Sequence, residues 1–383
     1  LIFYAAAIFI TVRMMIDILP VHEGRGNLSR IYFNAIWPFV FAWVFHYFGR
    51  PWVLRAGLIA AFLFLLARAA GAVAGWILDV PLYIPGINYV LSFSGRDSLV
   101  PMRGVAYNLL LIALIFFHGF RSSVARNAML PVMAASSWLI VMGASRFTTF
   151  LFLVLPVCFF AWTRRWVLLA VATLLSTGAA IYVNVNPRAV DELPPAIARS
   201  LSGLEVGKTA SEAQAGAEGS NEWHSSLRAE GYKRWTQSPL TFLFGYGVRP
   251  SPDLYETKQF SIDPQEVVGI AANTGSYESS LWAVLAILGV VGYAFYFFLS
   301  LHFWRKLLPI FLQRPRGTIT EGVIFWATYS SVMWFVTGYF QGGFPAMETF
   351  LLVLATDVIA DQRALARRHE SAEVPALPQE VLA

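Results

Sequence analysis

Residues 53–78 read VLRAGLIAAFLFLLARAAGAVAGWIL. This block is longer than the roughly 20 apolar residues that a helix needs to cross a bilayer. It decides the fold class, because a backbone in hydrocarbon must satisfy its own hydrogen bonds and a helix does so. Further apolar runs fall near 1–17, 32–48, 104–120, 127–144, 147–162, 166–185, 277–302, 321–340 and 346–361. Of the 383 residues, 57% are hydrophobic and 13% charged, and the mean hydropathy is +0.58. A soluble domain carries roughly 25% charged residues, so this chain has too little charge to cover a water-facing surface. The expected fold is an all-α polytopic membrane protein with about ten transmembrane helices. A seven-helix bundle covers 1–185, a large loop 186–276, three C-terminal transmembrane helices 277–361 and a polar tail 362–383.

Orientation follows from the basic residues in the short connections, which favour the cytoplasm. Placing the 163–165 turn inside puts thirteen there: Arg50, Arg55, Arg121, Arg126, Arg164, Arg165, Arg305, Lys306, Arg314, Arg316, Arg363, Arg367 and Arg368. The short outer connections then hold five, Arg25, Arg30, Arg96, Arg103 and Arg146. The 79–103 and 186–276 loops are therefore expected outside and the 362–383 tail inside. The chain opens at Leu1 within an apolar run, without an initiator methionine. No cleavable leader is expected, and residues upstream of Leu1 are.

The large loop has its own pattern. Residues 201–222, LSGLEVGKTASEAQAGAEGSNE, are small and polar and are expected to be flexible. From Glu222 the pattern changes: Trp223, Leu227, Tyr232 and Trp235 recur at roughly helical spacing. They predict an amphipathic helix over about 222–237 on the outer surface, ended by the Ser238-Pro239 turn. Cys158, the sole cysteine, sits in an apolar run and reads as a small buried hydrophobe. There is no Walker loop, no dinucleotide fingerprint and no metal-ligand cluster. The sequence therefore points to no metal, no cofactor and no nucleic-acid partner.

Arg68 is the first anomaly. It lies fifteen residues into the 53–78 run, roughly 22 Å along a helix, in the outer third of the bilayer. A charged residue at that depth is costly unless paired, and it marks a substrate-binding candidate. Arg96, Arg103 and Arg146 map to the same outer side, joined by Arg228, Lys233, Arg234 and Arg249 from the large loop. Guanidinium groups grip phosphate bidentately, so a phosphate-bearing lipid is the expected ligand of this cationic set.

Glu278 is the second anomaly. It opens the run NTGSYESSLWAVLAILGVVGY, and Gly289 and Gly292 follow eleven and fourteen residues later. At 100° per residue all three lie within about 60° of one helical face. The glycines let another element approach closely. A carboxylate at the membrane mouth near arginines suits a general base for a sugar hydroxyl. His224, the one histidine of the large loop, is the alternative base. His46, His118, His302 and His369 fall at cytoplasmic helix ends or in the tail.

Three stretches resemble the O-antigen ligase and O-antigen polymerase family of bacterial envelope glycosyltransferases. Ser145-Arg146 opens a helix on the outer side. Arg228, Trp235, Pro239-Leu240, Gly245 and Gly247 follow the family's order, and Arg234 with Gly245 matches the Arg-x10-Gly spacing of polymerase loops. Glu278-Ser279, then nine residues, Gly289, two residues and Gly292 match the family's His-(Asn/Ser/Gln)-x9-Gly-x2-Gly, with Glu278 replacing the histidine. The resemblance covers most of 140–361.

The resemblance implies a glycosyltransferase C-like fold of about twelve spans, so a pair of helices is expected upstream of Leu1. It implies a metal-independent, inverting transferase in the bacterial inner membrane. That enzyme moves a glycan from undecaprenyl diphosphate to an acceptor hydroxyl at the periplasmic face. The acceptor is a growing glycan in a polymerase, with a chain-length regulator as partner, or the lipid A core in a ligase. The Arg-x10-Gly spacing and the missing histidine favour the polymerase. Glu278, Arg228 and Arg146 are the implied catalytic residues. Arg68, Arg96, Arg103, Lys233, Arg234, His224, Gly245 and Gly247 are the implied substrate-binding ones. The competing classes are a lipid or polysaccharide transporter and a peptidoglycan polymerase of the same broad fold. A transporter would show broken midplane helices and inverted repeats, and the sequence reads as having neither.

Overall fold

The computed structural model describes residues 2–21, 25–48, 51–78, 83–84, 89–90, 102–143, 145–186, 190, 192–205, 212–249, 264–273, 275, 277, 279–313 and 317–337. The 346–361 run and the 362–383 tail lie outside the described residues, as do Arg96 and Glu278.

Among the described residues the regular elements are helices apart from one antiparallel pair, β1 (Tyr83–Ile84) and β2 (Tyr89–Val90), with Tyr83 opposite Val90. Eight helices precede the large loop: α1 (Ile2–Ile18), α2 (Arg25–Phe48), α3 (Pro51–Leu78), α4 (Met102–Gly119), α5 (Ser123–Asn127), α6 (Met129–Met142), α7 (Arg146–Trp162) and α8 (Trp166–Val185). The loop region forms α9 (Pro195–Leu201), α10 (Glu212–Trp235), α11 (Pro239–Phe244) and α12 (Pro264–Asn273). Last come α13 (Ser280–Phe311) and α14 (Ile319–Thr337).

Among the described residues, four stretches are long and apolar enough to cross a membrane: Ala56–Leu78, Ser123–Met142, Trp166–Val185 and Ser280–Phe311. Ile31–Val40, Gly104–Gly119 and Arg146–Trp162 are apolar but shorter. The outer surface agrees with a hydrocarbon surrounding. On α8, Val167, Leu174 and Leu175 are 78%, 73% and 67% exposed. In water such exposure forfeits about 25 cal/mol for each Å² left unburied, whereas lipid tails accept it. These features fit an α-helical membrane protein.

The core centres on α4, whose residues from Leu109 to Phe117 are all buried. This helix is apolar all round because α3, α6 and α14 enclose it. The ends of the helices sort into two groups. At one end the Trp162 indole N–H donates to the Phe311 carbonyl at 2.8 Å, and the two rings stack. Beside them His118 faces Glu321 at 3.8 Å, and the Arg165 guanidinium covers the Phe117 ring. The large-loop helices α9–α12 gather at the opposite end, over the C-terminus of α1 and the N-termini of α7 and α13.

Two sequence expectations need correction. Helix α10 begins at Glu212, inside the 201–222 stretch expected to be flexible. Ala213, Ala215 and Ala217, with Glu212, Gln214 and Glu218, are helix formers, and they outweigh the small-residue composition. Second, α13 is a broken helix. Gly289 stands at φ 67°, ψ −169° within it. A glycine in an apolar run does not announce whether it serves close packing or a left-handed turn; here it does both.

A Cβ on Gly289 would strike the Leu243 carbonyl, and one on Gly245 (φ 81°) would strike the Ile287 backbone. The 245–247 segment is sewn into the break: the N–H groups of Tyr246 and Gly247 donate to the Ala286 carbonyl at 2.6 and 3.2 Å. Gly289→Ala should therefore cost about 2–4 kcal/mol, from left-handed strain plus overpacking. Gly178→Ala on α8, where a Cβ meets nothing within 4 Å, should be near neutral. Thermal unfolding of both variants in the same detergent checks the contrast.

Candidate functional site

Helix α10 carries most of the loop residues singled out by sequence. Its buried face runs through Trp223, Leu227, Gly231 and Arg234, and Leu227 packs on Val268 and Ala271 of α12. Tyr232 is instead 54% exposed. It belongs to an aromatic cluster with Trp235, Trp282 and Phe242, in which Trp235 stacks on Phe242 and donates to its carbonyl at 3.0 Å. Tyr277 fills the space left by Gly231. Burial pushes the Tyr277 hydroxyl up to about 12, so it stays protonated at neutral pH.

Arg234 is the node of this region and is only 9% exposed. It donates from Nε to Glu230 at 2.7 Å, from Nη1 to Asn273 at 2.8 Å and from Nη2 to the Gly269 carbonyl at 3.0 Å. Its guanidinium is thus spent on fixing α10 to α12. It also lies 5.1 Å from the Tyr246 ring, and Arg249 lies 4.7 Å from the same ring.

The remaining sequence-derived residues are dispersed. Lys233 projects outward, 3.7 Å from Glu230. Arg228 is half-buried and donates from Nε to the His224 carbonyl at 3.2 Å. Arg146 opens α7 after the Ser145 cap, with Gly203 packed against its Cβ. The Ser200 hydroxyl donates to the Val141 carbonyl at 2.6 Å, which fixes α9 over the same hairpin. Arg68 is half-buried on α3, whose main packing partner is α4. Arg103 stands in the first turn of α4, with its side chain outside the described residues. Glu278 itself is not described, but its neighbours are. Tyr277 and Ser279 lie at the loop-bearing end, and the Arg249 N–H donates to the Asn273 carbonyl at 2.9 Å.

Gly245, but not Gly247, lines a cleft of about 1320 Å³ between α1 and the α11–Arg249 segment. One wall is apolar, formed by Phe9, Val12 and Ile16 of α1 and by Leu240 and Phe244 of α11. Its polar end holds Arg13, Asp17 and Arg249. Asp17 pairs with Arg13 at 3.1 Å, accepts the Val248 N–H at 3.0 Å and accepts the Tyr32 hydroxyl. Sequence reasoning missed Arg13, Asp17 and Tyr32. The available signal was an arginine and an aspartate four residues apart inside an apolar run, TVRMMID, the spacing of a helical ion pair.

Compared with protein-family models, curated proteins and solved structures, the chain has no match.

A Cβ on Gly247 (φ 86°) would fall on the Asp17 carboxylate and the Arg13 guanidinium. Gly247→Ala should therefore detach the loop from α1. Increased solvent accessibility of a cysteine introduced at Val248 would report it. Arg234→Ala should cost about 3 kcal/mol, because it removes a buried guanidinium that joins Glu230 to Asn273 and the Gly269 carbonyl. Lys233→Ala should cost under about 0.5 kcal/mol, as for an exposed pair. Denaturation midpoints of the two variants separate these outcomes.

Proposed function

We propose that this chain is a membrane glycosyltransferase that takes a glycan from an undecaprenyl-diphosphate carrier and passes it to an acceptor hydroxyl at the periplasmic face. The observation that carries the reading is the cleft between α1 and the α11–Arg249 segment. It joins an apolar wall to a cationic end, at the same end of the bundle as the loop helices. An amphiphilic donor needs that pairing: hydrocarbon against its tail and guanidinium near its diphosphate.

In this reading the acceptor oxygen attacks the anomeric carbon, and the bond to the phosphate oxygen breaks with its electron pair. The diphosphate leaves, and the hydroxyl proton passes to Glu278, with His224 as the alternative base. Charge gathers on the leaving diphosphate, where guanidinium groups would stabilise it; Arg228, Arg146 and Arg68 are the residues the sequence implies for this, though they do not line the cleft. Arg96, Arg103 and Lys233 add to the outer positive field. Repeat-unit polymerisation is the favoured outcome, and ligation to the lipid A core is the other acceptor choice.

The break at Gly289 favours a second reading, a transporter, since such proteins use interrupted helices at their binding sites. Against it, the Ala286 carbonyl at the break already accepts two N–H groups of the protein's own loop, so it is not presented to a cargo.

Product analysis with purified protein and a lipid-linked oligosaccharide tests the reading. A ladder of longer glycans means a polymerase, one transfer to lipid A core means a ligase, and lipid movement without product means a transporter. Glu278→Gln should lower turnover about 10²–10⁴-fold while carrier binding stays unchanged. Turnover at the normal rate would rule out Glu278 as the base.

A further inference from the structure

The region with the most unassigned chemistry is the polar end of the cleft. Arg13 pairs with Asp17 and also hydrogen-bonds the Tyr32 hydroxyl, while its Nε is buried without a hydrogen-bond partner among the described residues. A buried guanidinium donor left without an acceptor is costly, and the same side chain lines the open cleft. Asp17 differs: Arg13 holds one of its oxygens, while Tyr32 and the Val248 N–H hold the other. A carboxylate so occupied is a brace and not a free base. Arg249 adds a second guanidinium at the same end, so the polar end carries one positive charge in excess. The flanking walls remain apolar and exposed: Val12 at 50%, Ile16 at 59% and Leu240 at 69%.

We propose that this cleft is a binding site for an amphiphile bearing a phosphate or diphosphate. Arg13 and Arg249 grip the phosphate, Asp17 is the positioning residue that aims Arg13, and Val12, Ile16 and Leu240 bed the hydrocarbon chain. The inference deepens the transfer reading and rests on it for the identity of the natural ligand, but binding itself requires neither acceptor nor turnover. Two sources share this chemistry, a lipid phosphate and a free phosphate, and they differ only in whether the apolar walls contribute.

The test uses the full chain in nanodiscs of phosphatidylcholine, with equilibrium binding of farnesyl diphosphate and of inorganic pyrophosphate. Farnesyl diphosphate should bind saturably, and pyrophosphate at least about 10-fold more weakly, since each buried methylene contributes. Arg13→Ala should weaken farnesyl diphosphate binding about 10- to 100-fold, a loss usual for one charge-assisted contact. Arg13→Lys should keep part of the affinity. Ile16→Trp, on an exposed wall position that leaves the brace intact, should weaken farnesyl diphosphate and spare pyrophosphate. Asp17→Asn should weaken binding in the wild-type background and add nothing to Arg13→Ala. A purely structural role would instead give additive losses.

Unchanged farnesyl diphosphate affinity in both Arg13→Ala and Arg249→Gln would overturn the site. So would equal affinity for pyrophosphate, which would leave a free-anion site. Normal binding with no glycan product sinks the transfer reading alone. Glycan product with binding indifferent to Arg13 sinks this site alone.

Discussion

The break in α13 at Gly289 and the loop sewn into it form the joint on which the loop-bearing end of the protein depends. A helix that departs from its path inside an apolar environment leaves backbone carbonyls without their usual donors, at several kcal/mol each. Here the N–H groups of Tyr246 and Gly247 occupy the Ala286 carbonyl. That exchange works only where two backbones meet without side chains between them, which is why glycine stands at both 245 and 289. The joint fixes the start of the 245–249 segment, which then carries Val248 to Asp17 and Arg249 beside Tyr246. One edge of the cleft is thus set by a helix that does not line it.

The apolar runs were legible because hydrocarbon length and composition leave few alternatives, and the runs within the described residues are helical. The special status of Gly289 was legible as a point of close approach. Its backbone angle was not, since an apolar context gives the same letters to a straight helix and a broken one. The start of α10 was missed because small residues suggest a linker, while alanine and glutamate at the same positions are good helix formers. Arg234 shows a different limit. Its spacing to Gly245 suggested ligand contact, but Glu230, Asn273 and Gly269 consume its donors. Spacing along a chain says where a guanidinium starts, not which acceptors it meets first.

The polar end of the cleft was least legible. Asp17 and Val248 are 231 positions apart, and only the tertiary fold brings them together. Read locally, Arg13 and Asp17 look like one neutral ion pair near the end of an apolar helix. In the fold, Tyr32 and Val248 take up the aspartate, so the arginine is no longer balanced by it alone. Packing adds Arg249 to this pair, so the polar end of the cleft sets two guanidiniums against one carboxylate.

The same long span has a consequence for biosynthesis. Helix α1 is made early, and the segment that completes its cleft follows more than two hundred residues later. The Ala286 carbonyl that anchors this segment is made later still. Membrane helices form one at a time as the chain emerges and dock afterwards. A ribosome-bound intermediate that ends before α13 therefore holds Arg13, Asp17 and Tyr32 but lacks the Ala286 carbonyl that anchors the cleft's other wall. The polar end of the cleft is therefore assembled only after α13 has been made, so its geometry is a late product of the order of synthesis.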